Sequence, residues 1–185
     1  MSGKMFVISG ASGVGKGTVL KAVMEKRKDL IFSVSATTRA PRPGEIDGVH
    51  YYFITKEQFE DMISKGQFLE YDNHAANYYG TPRDQMEEKL SRGNAILDIE
   101  PVGAKLVKEA CPDATLIFIM PPDKQELEKR LRGRGDTGEE QIRMRLKRAD
   151  WEMEQRSWYD YVVTNDVVDR CADEILKIIA DKADK

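Results

Sequence analysis

The chain has 185 residues, which is enough for one domain with a well-buried core. Hydrophobic residues make up 41% and charged residues 33%, a balance that excludes a disordered chain, a collagen-like repeat and a small disulfide scaffold. The formal net charge of −3 disfavours a globally basic protein that binds nucleic acid. The N-terminal apolar run is too short for a signal peptide, and no apolar stretch could span a bilayer, so we expect a cytoplasmic protein with no nucleic-acid or membrane partner.

Short apolar segments alternate with longer amphipathic segments along most of the chain. The apolar segments predict buried strands, and the amphipathic segments predict helices. Such an alternation is typical of an α/β fold whose central parallel sheet is flanked by helices. In chain order the predicted elements are a strand over Met5–Ile8, a helix over Gly17–Lys26, a strand over Ala95–Ile99, a helix over Val102–Ala110, a strand over Leu116–Met120, helices over Lys124–Arg132 and Glu139–Arg156, a strand over Tyr161–Val163 and a helix over Val168–Ala180.

The alternation is interrupted between residues 31 and 72. Strand-like segments surround one helical segment, Lys56–Ser64, and a proline-stiffened loop covers residues 40–44. The strand-like segments are Ile31–Val34, Tyr51–Ile54 and Phe68–Tyr71. We interpret this region as a small inserted lobe with mixed strands. The expected division is a single domain over residues 1–185, with a core at 1–32, 84–129 and 149–185, the lobe at about 33–83 and a lid at about 130–148.

A glycine-rich segment lies between the first predicted strand and the first predicted helix. It reads Gly10-Ala11-Ser12-Gly13-Val14-Gly15-Lys16-Gly17-Thr18. The order strand, loop and helix is the context that a phosphate-binding loop (P-loop) requires. Inward-pointing N–H groups, the positive end of the helix and the Lys16 ammonium predict a site for the phosphates of a nucleotide. Because Gly17 stands where the common pattern has a magnesium-binding hydroxyl, with Thr18 after it, direct metal ligation by the loop stays open.

A second group of anion-binding residue types follows the P-loop. Two arginines, Arg39 and Arg42, flank the proline-rich loop, and Tyr51 comes shortly after it. Arginine's planar fork suits phosphate oxygens, and tyrosine donates a hydrogen bond without adding charge. Singly, each of these residues has an ordinary structural explanation. Together with a P-loop, they indicate a second phosphate-bearing substrate.

Several motifs together resemble the guanylate kinase family. They occur in the family's order over nearly the whole chain, and they are Ser35-Ala36-Thr37-Thr38-Arg39-x-Pro41-Arg42-x-Gly44-Glu45-x-x-Gly48-x-x-Tyr51-x-Phe53, Phe68-Leu69-Glu70-Tyr71, Asn77-Tyr78-Tyr79-Gly80-Thr81, Leu97-Asp98-Ile99-Glu100, Arg130-Leu131-x-Gly133-Arg134-Gly135 and Asn165-Asp166. The resemblance implies a P-loop kinase of purine nucleotide metabolism that uses ATP and Mg²⁺ to convert GMP to GDP. It also implies that the inserted lobe binds GMP.

The resemblance implies roles for the residues of the GMP site. Glu70 would accept hydrogen bonds from guanine N1–H and the exocyclic amine, while Ser35 and Thr81 would donate to O6. Adenine would leave an ionised Glu70 unpaired, which is costly. The residues that would hold the GMP phosphate are Arg39, Arg42, Tyr51 and Tyr79. The other residues assigned to this site are Glu45, Asp98, Glu100 and Arg145.

Basic residues are concentrated between Arg130 and Arg148, a span that holds six of the thirteen arginines. A solvated helix face is the ordinary explanation of such a run. The resemblance instead places Arg130, Arg134 and Arg145 near the transferring phosphoryl group and Asn165 beside the adenine of ATP, although a turn-forming Asn is nearly as good an explanation. The residues it implies for catalysis are Lys16, Arg39, Arg134 and Arg145.

The metal ligands and two further functions are left open by the sequence. The candidates for Mg²⁺ are Thr18 and, through a water molecule, Asp98, because a carboxylate at a strand end beside a P-loop often holds such a water. The alternative functions are a P-loop kinase for another small phosphate ester and a non-catalytic, guanylate-kinase-like module that binds phosphopeptides. The intact P-loop and the arginines of the expected lid favour the enzyme. The sequence predicts no oligomeric state.

Overall fold

The computed structural model describes residues 3–74, 76–133 and 138–183. The strands within these residues are β1 (Met5–Gly10), β2 (Ile31–Phe32), β3 (Ala36–Thr37), β4 (Tyr52–Phe53), β5 (Phe68–His74), β6 (Asn77–Pro82), β7 (Ala95–Asp98), β8 (Thr115–Met120) and β9 (Tyr161–Thr164). The α-helices are α1 (Lys16–Lys26), α2 (Lys56–Ser64), α3 (Arg83–Arg92), α4 (Pro101–Ala110), α5 (Lys124–Arg132), α6 (Glu139–Glu154) and α7 (Val168–Ala183).

Five strands form one sheet in the order β2-β7-β1-β8-β9. The pairs β2–β7 and β8–β9 are parallel, with Ile31 opposite Ala95 and Ile117 opposite Tyr161. Every residue of β1 is buried, as is all of β8 except Met120. Burial on both faces explains why these strands read as continuous apolar runs. The predicted α/β fold with a parallel sheet is confirmed.

Four strands form a second, mixed sheet in the order β4-β3-β6-β5. The pair β3–β4 is parallel, whereas β3–β6 and β5–β6 are antiparallel. Helix α2 covers this sheet with Phe59, whose ring stacks on Phe68 with centroids 4.2 Å apart and on Tyr78 at 5.0 Å. Thr55 starts α2 in a capping box with Gln58. The predicted mixed-strand lobe is therefore present.

The chain's internal contacts divide it into two compact units. The first unit comprises Met1–Phe6 and Asp29–Ala114, and it contains the mixed sheet, β2, β7 and helices α2 to α4. The second unit comprises Val7–Lys28 and Thr115–Lys185, and it contains α1, β8, β9 and helices α5 to α7. Strand β1 contributes residues to both. The division into core, lobe and lid stays a prediction.

Several elements differ from the sequence-based expectation. Helix α3 and the strands β3 and β6 were not predicted. In α3 only Met86 is buried, so the helix has no apolar period to detect. Helix α6 ends at Glu154 rather than Arg156, because the chain tightens into a 3-10 turn over Gln155–Trp158. Within the described part of the chain, no helix is long and apolar enough to cross a membrane.

Candidate active site

The glycine-rich segment forms a tight loop from the end of β1 to the start of α1. Gly13 and Gly15 have φ of 87° and 92°, a left-handed conformation that favours glycine. A side chain would also lack room, since a Cβ at Gly13 would lie 2.5 Å from Cδ2 of Leu131 and one at Gly15 would lie 2.9 Å from Nδ2 of Asn165. No side chain caps the N-terminus of α1, and its first turn carries no acidic residue. The loop therefore has the form of an anion site at a helix N-terminus.

Two of the predicted ATP-site residues hold this loop by hydrogen bonds to its backbone. The Val14 carbonyl accepts hydrogen bonds from Nδ2 of Asn165 at 2.8 Å and from Nη1 of Arg130 at 3.1 Å. Arg130 also donates to the backbone carbonyl of Asn165 and, through Nε, to Glu126. Asn165 is 2% exposed, and its Oδ1 has no hydrogen-bond partner within the described chain. Both side chains thus fix the loop's shape, a role that sequence reasoning did not assign to them.

Helix α6 contributes a buried carboxylate to the loop, which sequence reasoning missed. Glu152 is 1% exposed, and its Oε2 accepts the backbone N–H of Ser12 at 2.6 Å. Its Oε1 accepts from Nε of Arg148 at 2.8 Å. Nε of Arg145 lies 3.4 Å from the Ser12 hydroxyl. Because Arg145, Arg148 and Glu152 are spaced by three and four residues, they share one helix face, which is turned to the loop.

The remaining residues predicted on the ATP side lie at the start of α1 or outside the described chain. Lys16, half-buried, is the first residue of α1, and Gly17 and Thr18 follow in its first turn with exposed surfaces. A Cβ at Gly17 would meet nothing within 4 Å. Arg134 lies outside the described residues.

In the first unit, Arg39 is fixed by a two-pronged ion pair with Glu45. Its Nη1 and Nη2 lie 3.0 and 2.9 Å from the two carboxylate oxygens, and the backbone N–H of Arg42 donates to Oε2 at 2.7 Å. The Arg39 guanidinium and then the Arg42 N–H lower the pKa of Glu45 to about 2. The Arg42 side chain is exposed. Glu45 therefore stays ionised and fixes the orientation of the Arg39 guanidinium.

Two tyrosines predicted for the phosphate site lie beside this ion pair. The Arg39 guanidinium carbon is 5.4 Å from the centroid of the Tyr51 ring, within cation–π range. The Tyr51 ring meets the Tyr79 ring edge-on with centroids 6.0 Å apart. The structure thus brings together four residues that are scattered over 41 positions of the sequence, namely Arg39, Glu45, Tyr51 and Tyr79.

Two of the three predicted base-reading residues meet where β5 pairs with β6. Glu70 lies opposite Thr81 in the register, and the Thr81 hydroxyl donates to Oε1 of Glu70 at 2.6 Å. Glu70 is 5% exposed and Thr81 is fully buried. Burial, opposed by the hydrogen bonds from Thr81, raises the pKa of Glu70 to about 7. Near neutral pH this buried carboxyl group is therefore only partly ionised. Hydrogen-bond donors on a bound ligand would favour its ionised form.

Three more residues assigned to the GMP site lie in the same unit. Ser35 directly precedes β3, Asp98 ends β7, and Glu100 is the N-cap of α4; all three are half-buried. Pro101 follows as the first residue of α4, where its fixed φ and missing N–H are favourable. Among the described residues, no three His, Cys, Asp or Glu side chains form a group able to hold a metal ion.

A parallel α/β sheet with a glycine loop between β1 and α1 defines a P-loop protein that binds nucleotide phosphates. The family model described as guanylate kinase matches residues 2–182 of this chain. A guanylate kinase of Prochlorococcus marinus subsp. pastoris is 50% identical over 177 residues, covering 95% of this chain and 96% of that protein. One from Thermus thermophilus is 48% identical over 180 residues, covering 97% and 81% respectively.

A solved structure supports the same assignment. The crystal structure of guanylate kinase from Anaplasma phagocytophilum matches with a TM-score of 0.82 and 33% sequence identity, over 100% of this chain and 88% of that one. The chain belongs to the guanylate kinase family. The resemblance seen in the sequence motifs is thereby confirmed.

Proposed function

We propose that this protein transfers the γ-phosphoryl group of ATP to GMP, giving ADP and GDP, in the cytoplasm. Membership of the guanylate kinase family supports an enzyme and gives no support to a non-catalytic phosphopeptide-binding module. The observation that carries the choice of acceptor is the buried pair of Glu70 and Thr81. A buried carboxylate next to a hydroxyl suits a base that offers two adjacent donors and an acceptor.

Guanine offers that pattern through N1–H, the exocyclic amine and O6. Ionised Glu70 would accept from the two donors, and Ser35 would donate to O6. Thr81, whose one hydroxyl proton goes to Oε1 of Glu70 in the free protein, would donate to O6 after turning away from that oxygen. Adenine has an acceptor at N1 and no exocyclic amine at C2, so it would leave the Glu70 carboxylate buried and unpaired. An unpaired buried acceptor costs about 1–3 kcal/mol, and more when it is charged. This penalty favours GMP over AMP.

The GMP phosphate would lie against Arg39, which already has its orientation fixed by Glu45. A preoriented guanidinium loses little side-chain freedom when it binds phosphate oxygens. Tyr51 and Tyr79 would donate hydroxyl hydrogen bonds, and the exposed Arg42 side chain would add a second charge. Asp98 and Glu100 complete the proposed GMP site in this unit, and the family resemblance adds Arg145 to the residues that bind GMP.

ATP would place its phosphates in the loop over residues 10–18. The N–H groups at the start of α1 and the Lys16 ammonium would neutralise their charge. Arg130 and Asn165 donate hydrogen bonds to the Val14 carbonyl of this loop, which supports a role in shaping the site. Arg134 and Arg145 complete the proposed set of cations. The lid over about 130–148 would exclude water, which otherwise competes with GMP for the phosphoryl group.

The chemistry of the two residues proposed as metal ligands, Thr18 and Asp98, fits Mg²⁺ as a cofactor. Thr18 and Asp98 offer hard oxygen donors, which this ion prefers, and their small number suits an ion that keeps several waters and binds mainly to nucleotide phosphates. Thr18 and, through a water molecule, Asp98 would hold the ion, which would supply positive charge against the charge that develops during transfer. The protein's own part is to align the GMP oxygen with the γ-phosphorus and to supply cations from Lys16, Arg39, Arg134 and Arg145.

A panel of acceptors tests this function. ADP formation is measured with ATP, Mg²⁺ and each of GMP, AMP, dTMP and ribose 5-phosphate, for the wild type and for Glu70→Gln. We expect the wild type to use GMP with the highest kcat/KM, and Glu70→Gln to lose much of that preference. Equal turnover of all four acceptors would favour a kinase with a broader substrate range, and no turnover with GMP would contradict the proposed activity.

A further inference from the structure

Gly103 lies in helix α4, at a position where the backbone conformation does not require glycine. It is buried in the first turn, three residues after the N-cap Glu100. Its backbone is helical, and its φ is not among the positive values found in the chain. Alanine is a better helix former than glycine at such a position. The reason for glycine here must therefore lie in what surrounds it.

The space that a side chain would need at Gly103 is taken by the Glu70 carboxyl group. A Cβ on Gly103 would overlap Oε2 of Glu70 and would lie 3.1 Å from its Cδ. The next nearest atom, Cδ1 of Ile99, would be at an ordinary contact distance of 3.6 Å. The conflict thus concerns one functional group and no other part of the core.

The Glu70 carboxyl group is held on its other side as well. Oε1 accepts the Thr81 hydroxyl at 2.6 Å, and the whole side chain is 5% exposed. A methyl group at Gly103 would push this carboxyl away from α4 and would strain or break the bond to Thr81. Since the displaced atoms are the end of a side chain, the helix itself need not move.

Gly80, which pairs with Tyr71 between β6 and β5, provides a contrast. A Cβ there would lie 2.9 Å from the backbone carbonyl oxygen of Glu70 and 2.9 Å from atoms of both Phe68 and Tyr71. Backbone and ring atoms in a paired strand cannot yield, so Gly80 is needed for the β5–β6 pairing. Gly103, in contrast, limits only where a carboxylate can lie.

We propose that Gly103 is a positioning residue for guanine recognition, because its missing side chain lets the Glu70 carboxylate lie against the first turn of α4 in the orientation that guanine requires. This inference rests on the proposed function. The close approach also brings the carboxylate to the positive end of α4, which favours its ionised form.

The test is a double-mutant cycle with Gly103→Ala, Glu70→Ala and the double variant, and with Lys105→Ala as an exposed control in the same helix. The measured quantities are KM for GMP and for ATP, the ratio of kcat/KM for GMP to that for AMP, and Tm. For Gly103→Ala we expect KM for GMP to rise about tenfold or more, since a displacement of this size at a recognition group is costly. KM for ATP should change less than twofold, and the preference for GMP should fall. Tm should fall by no more than a few degrees, because the better helix propensity of alanine offsets part of the cost of the strained Glu70–Thr81 bond. Lys105→Ala should match the wild type throughout.

The cycle separates this inference from its alternatives. Adding Gly103→Ala to Glu70→Ala should produce no further loss of GMP affinity, because the group it displaces is gone. Three results would each overturn the role of Gly103. They are an equal loss of GMP affinity when Gly103→Ala is added to the wild type and to Glu70→Ala, an unchanged KM for GMP, and a Gly103→Ala chain that does not fold. A wild type that does not phosphorylate GMP would instead overturn the proposed function itself.

Discussion

The binding of GMP should weaken as the pH falls below neutrality, because Glu70 must be ionised to accept hydrogen bonds from guanine. Burial in the first unit, opposed by Thr81, raises the pKa of this carboxyl to about 7 in the free protein. The protonated form has lost one acceptor and presents an O–H toward guanine N1–H. Bound guanine therefore selects the ionised form, and the proton must leave when GMP binds.

The size of the effect follows from the fraction of protein that is ionised before binding. With a pKa of about 7, roughly nine-tenths of Glu70 is ionised at pH 8 and about one-tenth at pH 6. GMP affinity should therefore fall about tenfold between these values, which is about 1.4 kcal/mol. Most of the change should occur between pH 7 and pH 6.

Isothermal titration of GMP into the protein from pH 6 to pH 8 measures this change. The GMP phosphate itself titrates near pH 6, so the control is Glu70→Gln, which keeps that contribution but removes the carboxyl group. We expect the Gln variant to bind GMP more weakly at pH 8 and to lose the tenfold component of the pH dependence. If wild type and Glu70→Gln show the same pH dependence, Glu70 does not titrate in the way described here.

Two further predictions concern buried carboxylates. Because the pKa of Glu70 is raised above the value of 4.5 expected in the unfolded chain, folding becomes less favourable as the pH rises from about 4.5 to about 7. Glu70→Gln should therefore raise the free energy of unfolding of the ligand-free protein at pH 8 by about 3 kcal/mol at most and change it little at pH 4.5. Chemical denaturation at both pH values measures this change. A variant that is less stable than the wild type at pH 8 would contradict the prediction. Glu152→Gln takes the charged acceptor from both the Ser12 N–H and Arg148, and its NH2 group must face one of these donors. KM for ATP should therefore rise about tenfold while GMP affinity is kept. Glu154→Gln, which changes an exposed carboxylate on the same helix, is the control, and equal effects of the two substitutions would refute a specific role for Glu152.

The parts of the fold and site that the sequence predicts are those encoded locally. The P-loop was predicted because its strand, glycines, lysine and helix are contiguous over residues 5–26. The α/β class was predicted from apolar runs in β1 and β8, which are buried on both faces. The prediction failed for α3, since a helix with one buried residue leaves no periodic pattern.

The parts that the sequence does not predict depend on distant partners. Glu152 acts on Ser12, 140 positions away, and alone it looks like an ordinary helical glutamate. The raised pKa of Glu70 requires burial between strands, and the need for Gly103 becomes visible only when α4 and Glu70 are seen together. Family resemblance assigned Arg39 to the GMP phosphate and Glu45 to the GMP site, but the two-pronged contact between them needed coordinates.

Transfer of label from [γ-³²P]ATP to GMP tests the central claim most directly. For the wild type we predict labelled GDP and unlabelled ADP in equal amounts, and for Lys16→Ala we predict loss of labelled GDP with GMP affinity kept. Labelled inorganic phosphate without labelled GDP, or labelled GDP formed equally well by Lys16→Ala, would contradict a GMP kinase that uses this P-loop.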